Sequence, residues 1–202
     1  MITLPRSASF LWTLLPLTAF AIEPTTLAQR APQPLTLAQV AAQNVHSGNS
    51  FSPLVDKVRR ATAKYRDINV MFAEGGWKAA TPCVSGPNSG AMGVHFVKDG
   101  RVGDGILKPE EPEALIYEPL GNGFMRLVGV EFIELKGVWD SVGNGGGKQP
   151  TLEGQLLNLV GEPNRYTLPA FYELHVWAWK DNPDGFFADW NIDVNCNRAV
   201  GN

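Results

Sequence analysis

The chain is short of the residues that build most well-known chemical sites. Its 202 residues include only 2 Cys and 3 His, too few for a zinc site made of closely spaced cysteines and histidines. It has no surplus of positive charge. With 17 Lys+Arg against 20 Asp+Glu and a net charge of −3, it offers no electrostatic footprint for DNA or RNA. The one apolar run of any length, Phe10 to Phe20, is about half of the ~20 residues needed to cross a bilayer. No G-x-G-x-x-G opens a helix, and there is no G-x-S-x-G elbow and no H-E-x-x-H. In the Gly143–Lys148 stretch, Val142 stands where a phosphate-binding loop needs its first glycine and Gln149 where it needs Ser or Thr. Nucleotide-binding, serine-hydrolase and zincin readings therefore have no motif to rest on.

What the chain has is bulk and turns. A hydrophobic content of 44% with 18% charged residues suits a globular core rather than intrinsic disorder. The 21 Gly and 15 Pro point to a turn-rich chain and away from a helical bundle.

Residues 1–21 have a positive start with Arg6, a short apolar stretch and Ala19-Phe20-Ala21. These are the three parts of a secretory signal peptide, with cleavage expected after Ala21 and a secreted or periplasmic destination. No cysteine near the cut offers a lipid acceptor. In an oxidising compartment, Cys83 and Cys196 are most simply one disulfide. A catalytic thiol would be trapped by the second cysteine. Residues 22–52, with Pro24, Pro32, Pro34 and two copies of Thr-Leu-Ala-Gln, read as a flexible spacer containing His46 and a short helix at Leu37–Gln43. Residues 53–202 read as a single globular domain.

That domain opens with a helix. Ser52 suits the N-cap, Pro53 the first turn, and Gly75-Gly76 the stop. Leu54, Val58, Ala61, Tyr65, Ile68 and Phe72 recur at helical spacing on one face. After Trp77 the period changes to two. Strands are expected around Val94–Val97, at Ala114–Glu118, from Phe124 to Glu134 and from Phe171 to Trp179, with a hairpin at Gly121-Asn122-Gly123. The fold class is α+β: one N-terminal amphipathic helix packed on a mainly antiparallel sheet, with one disulfide.

Four polar residues interrupt these apolar strands. Alternation puts His95 opposite Val94 and Phe96, and puts His175 on a face with Glu173, Trp177 and Trp179. Glu118 and Glu131 are carboxylates on otherwise apolar strands, where a charge is costly unless paired or bound to a metal. His95, His175, Glu118 and Glu131 form a candidate divalent-metal set with room for water or substrate. The same residues also suit a buried polar network that fixes strand register. A second constellation is aromatic: Trp177, Trp179, Phe186, Phe187 and Trp190, interleaved with Asp181, Asn182, Asp184, Asp189 and Asn191. Trp177, Trp179 and Trp190 are candidate sugar-stacking surfaces, and equally suit a dense core.

An ordered set of short blocks runs from about Tyr65 to Cys196. It comprises Pro82-Cys83-Val84, Gly-Ala-Met-Gly-Val ending in His95, Pro112 to Pro119 (Pro-Glu-Ala-Leu-Ile-Tyr-Glu-Pro) and Leu127 to Glu131 (Leu-Val-Gly-Val-Glu). Leu174 to Trp177 (Leu-His-Val-Trp), Asn182-Pro183-Asp184-Gly185 and Trp190-Asn191 complete it. In these blocks the chain resembles an uncharacterised family of small exported bacterial proteins; the glycine-rich Gly143–Gly147 loop stands outside the pattern. The resemblance implies export, one disulfide and a single domain, and implies no reaction. The reading is an exported small protein that binds a divalent metal or small ligand through a His/Glu pocket. The alternatives are a metal-dependent hydrolase or lyase using that pocket, and a carbohydrate- or surface-binding module using the Trp-rich segment.

Overall fold

The computed structural model of the protein describes residues 52–143 and 147–199. The expected signal peptide, nearly all of the expected spacer including the helix expected at Leu37–Gln43 and His46, and the middle of the Gly143–Gly147 loop lie outside the described residues.

Helix α1 (Pro53–Thr62) starts as its sequence demands: Pro53 occupies the first turn and the Ser52 hydroxyl accepts from the Val55 N–H at 3.4 Å. Leu54, Val55 and Val58 are buried. The expectation of a single helix to Gly75 is corrected. A 3-10 turn (Ala63–Arg66) follows α1, and Asp67, with extended backbone, caps a second helix, α2 (Ile68–Glu74), by accepting from the Asn69 N–H. This restart rotates the apolar face, so Met71 is buried and Phe72 is 55% exposed.

The strands are β1 (Trp77–Ala79), β2 (Val84–Gly86), β3 (Gly90–Lys98), β4 (Ala114–Gly121) and β5 (Phe124–Leu135). After a short helix α3 (Lys136–Ser141) come β6 (Thr151–Leu152), β7 (Gln155–Leu156), β8 (Asn158–Val160) and β9 (Phe171–Val176). The main sheet runs β1-β3-β4-β5-β9-β8, with β2 also on β3; β6 and β7 pair separately, and every pairing is antiparallel. The β4–β5 hairpin turns at Asn122 (φ 52) and Gly123 (φ 80), left-handed positions that Asn and Gly tolerate best. The last strand is shorter than expected. It ends at Val176, because the Trp177 N–H donates to the Phe186 carbonyl and leaves the ladder.

Register separates the two faces of the sheet. On one, Phe96, Leu115, Tyr117, Val130, Phe132, Leu174 and Val176 join Leu54, Val55 and Val58 of α1 in one core. Three polar contacts tie the helical layer down. The Tyr117 hydroxyl donates to the Tyr65 carbonyl at 2.6 Å, Arg59 Nε to the Ala178 carbonyl at 2.7 Å, and Trp179 Nε1 to the Thr62 hydroxyl at 2.9 Å. The other face carries His95, Ile116, Glu131, Ile133, Glu173 and His175, from the pairings His95↔Ile116, Glu131↔His175 and Ile133↔Glu173.

The C-terminal segment folds back to β3. Ala91 and Asn191 exchange backbone hydrogen bonds. A Cβ at Gly90 (φ 74) would lie 2.1 Å from the Asn191 carbonyl oxygen, so only glycine admits this approach. Trp177 Nε1 donates to the Ala188 carbonyl, and the Cys83–Cys196 disulfide closes a separation of 113 residues. A closure of that length contributes about 4–5 kcal/mol on the chain-entropy account. Among the described residues no helix is long and apolar enough to cross a membrane.

Candidate metal centre

Three strands of one sheet, β3, β5 and β9, with β4 between the first two, bring three ligand groups to one point. His95 comes from β3, Glu131 from β5, and His175 from β9, where it sits directly across from Glu131. Gly93, two residues before His95, has φ 105, and a Cβ there would meet the Tyr117 carbonyl oxygen at 2.7 Å. Glycine thus lets β3 close on β4 just before the first ligand.

His95 Nε2 lies 3.4 Å from His175 Nε2 and 3.4 Å from Glu131 Oε2, while His175 Nε2 lies 3.9 Å from Glu131 Oε1. Ligands held at 2.0–2.1 Å around a tetrahedral ion are about 3.3–3.4 Å apart. The His95–His175 and His95–Glu131 separations match that edge, and the nearer Glu131 oxygen to His175 is the other one, Oε1, half an ångström beyond it. Side-chain exposure is 6% for His95, 7% for Glu131 and 1% for His175. The chain therefore contains a buried His–Glu–His group with the composition and spacing to hold a metal ion.

Burial sets the protonation of the group. It lowers His95 to about 4, against a backbone hydrogen bond at Gly93, and lowers His175 to about 3, with His95 adding to the effect. Both rings are thus neutral at pH 7, the form that ligates metals. Glu131 moves the other way. Burial, and then the facing Glu173 carboxyl, hold it well above the usual carboxylate range. Glu173 is also raised by burial, opposed by its hydrogen bond with Glu131. Two carboxyls in contact in an apolar setting retain a proton between them. A divalent cation at the His–Glu–His point would neutralise Glu131 in place of that proton.

The group opens into a pocket of about 360 Å³ lined by His95 and Glu131 together with Val97, Ile133, Tyr166 and Phe171 among others. Tyr166 donates to Met92 Sδ at 3.6 Å, and burial, then Glu131 and Glu173, push its hydroxyl to about 12. It remains a phenol and a hydrogen-bond donor at neutral pH. An ion held by these three residues would have room for a further ligand, and would supply Lewis-acid chemistry there.

Of the four residues in the expected metal set, His95, His175 and Glu131 come together and Glu118 does not. Ile116 occupies the β4 position across from His95, and Glu118 is two residues further toward the hairpin. There its carboxylate is taken up by Arg126, by Lys180 at 3.7 Å and by the Asn195 backbone N–H at 3.3 Å.

The tryptophans do not share one surface. Trp177 is buried beside His175, its ring stacked on the imidazole with centroids 6.3 Å apart. Trp179 packs against the helical-face core, so its expected place beside His175 is corrected by the end of β9 at Val176. Trp190 lies half-buried under the Arg165 guanidinium at 5.6 Å.

Other residues at or near the centre were not picked out as part of it from the sequence. Glu173 precedes His175 by two residues and so shares its face. That signal was available. Asp189 and Tyr166 arrive on loops, where alternation gives no guidance. Glu113, whose carboxylate accepts from the Ile133 N–H at 3.1 Å and which burial raises to about 8, precedes the first residue of β4.

Comparisons with protein-family models, with curated proteins and with solved structures find no match to this chain. Its function is therefore argued from the site alone.

Proposed function

We propose that the protein is an exported metal-binding protein that holds one divalent cation through His95 Nε2, His175 Nε2 and the Glu131 carboxylate. The observation that carries this reading is the convergence of two buried imidazole nitrogens and a buried carboxylate at the edge of a pocket, with His95 Nε2 at 3.4 Å from both partners. Two imidazoles and one carboxylate favour Zn²⁺ or a neighbouring first-row ion over Ca²⁺ or Mg²⁺, which prefer all-oxygen shells. The apparent signal peptide and the disulfide support export, as does the resemblance to small exported bacterial proteins. A ligand entering the pocket would meet the free coordination position, the Tyr166 hydroxyl and apolar walls.

The test is elemental analysis of full-length mature protein purified without a polyhistidine tag and equilibrated with Zn²⁺, followed by Co²⁺ substitution. At least one equivalent is expected, with the intense visible absorption of tetrahedral Co²⁺. His95→Ala, His175→Ala and Glu131→Gln should each lower the affinity at least tenfold. Metal content indifferent to all three substitutions would overturn the assignment.

A further inference from the structure

His175 belongs to a second potential ligand group as well. Glu173, His175 and Asp189 each offer a ligand atom, all within 4.8 Å of one another. Glu173 and His175 are buried, and Asp189 is half-buried.

Two buried atoms of this group lack a hydrogen-bond partner: Glu173 Oε2 and His175 Nδ1. Such atoms are uncommon in folded proteins and call for an unfilled ion, water or proton. The Asp189 loop is held in place from several sides. Trp177 Nε1 donates to the Ala188 carbonyl at 2.6 Å, Asn158 Nδ2 donates to Asp189 Oδ1 at 3.4 Å, and Asn182 Nδ2 donates to the Trp190 carbonyl at 2.8 Å. Asp189 also lines a separate open pocket of about 430 Å³ with Trp190 and Ile192. The Asp189 end of the group therefore borders solvent.

We propose that the site is a two-metal centre, with a second divalent cation held by Glu173, Asp189 and the remaining nitrogen of His175. The proposal rests on the assignment of the first ion to His95, Glu131 and His175. In the first group His175 presents Nε2. One imidazole can serve two ions only by giving one nitrogen to each, so the second ion bonds to Nδ1 and the Nδ1 proton passes to solvent. Charge supports the pairing. Glu131, Glu173 and Asp189 together with an imidazolate balance two dications completely, and a buried site is most stable near neutrality. With one ion alone, the three carboxylates retain a negative excess that a proton must offset. Such a pair of dications would suit a ligand bearing an anionic oxygen, such as a phosphate ester.

Copper reports on the shared ring directly. Full-length mature protein would be titrated with Cu²⁺ and followed by metal content and electron paramagnetic resonance. Two equivalents are expected, and the signal of the first should fall by more than half as the second binds, because an imidazolate bridge couples the two spins. Asp189→Asn and Glu173→Gln should each hold one equivalent with its signal intact. One equivalent in the wild type, unchanged by Asp189→Asn, would overturn the second site and leave the first standing. Two equivalents with simply additive signals would overturn the sharing of His175. No bound copper or zinc in the wild type would remove both assignments.

Discussion

The two faces of the central sheet are built to opposite ends. Beneath α1, the side chains of Phe96, Leu115, Tyr117, Val130, Phe132, Leu174 and Val176 form a continuous apolar layer. On the other face, three of the same four strands carry His95, Glu131, Glu173 and His175, nearly as well buried. Equal burial has opposite energetic meaning in the two places. On the helical face, each side chain removed from water adds stability. On the site face, desolvation works against every charged form, which is why both imidazoles are held neutral and both carboxyls held up. The helical face supplies the stability that the other face gives up by burying its His and Glu side chains.

This contrast can be broken most forcefully on the helical side. Phe132→Ala should cost about 3–5 kcal/mol, as expected for a fully buried aromatic truncation. Denaturant unfolding would read the loss, while metal stoichiometry of the folded fraction stays at the wild-type value. The site face should respond with the opposite sign. Replacing His95, Glu131 and His175 together by Leu should leave the metal-free protein as stable as wild type, or about 1–4 kcal/mol more stable, by analogy with buried ionic clusters exchanged for apolar groups. It should also abolish metal binding. A triple variant as damaged as Phe132→Ala would show that the cluster serves packing.

pH sharpens the same comparison. Depressed histidines favour the unfolded chain as pH falls from 6.5 toward 4, because only the unfolded rings take up protons there. Raised carboxyls act in reverse. The stabilising effect of Glu113 is complete below its ordinary value of 4.5 and is lost as pH rises through about 8, with Glu131 and Glu173 acting in the same direction. Metal-free protein should therefore be most resistant to urea between about pH 4.5 and 6.5 and weaken on either side. Saturation with Zn²⁺ should shift that maximum to higher pH, since the ion requires ionised Glu131 and neutral histidines. An unshifted maximum would place the ion elsewhere.

The smallest effect is expected at Glu118, the carboxylate outside the cluster. Glu118→Gln should cost about 1–3 kcal/mol through the lost ion pair with Arg126 and leave metal content unchanged. A drop in metal content would draw the hairpin end of β4 into the centre.

Much of the architecture was legible in residue order. Ser52-Pro53 and the spacing of Leu54 and Val58 mark the start of α1, and Gly121-Asn122-Gly123 marks the hairpin. Alternation put His95 and His175 on the side of their strands away from Val94, Phe96, Leu174 and Val176. Less legible was the break at Asp67, a residue equally at home on an exposed helix face and at an N-cap. The short β6–β7 hairpin and α3 carry too few residues for periodicity to register.

The site divided along the same line. The residue types, their strands and the face on which each histidine lies follow from local sequence, because a strand's side chains alternate whatever it packs against. Which of them meet does not follow locally. Strand order β3-β4-β5-β9 and the pairing of Glu131 with His175 joined three of the four expected ligands, while Glu118 found Arg126 and Lys180 instead. Asp189 reached the centre only because the last segment folds back through Trp177, Asn191 and the Cys83–Cys196 bridge. Composition and periodicity determined a turn-rich α+β chain with few groups able to do chemistry. Long-range pairing, which depends on contacts between residues far apart in the chain, decided that those groups converge.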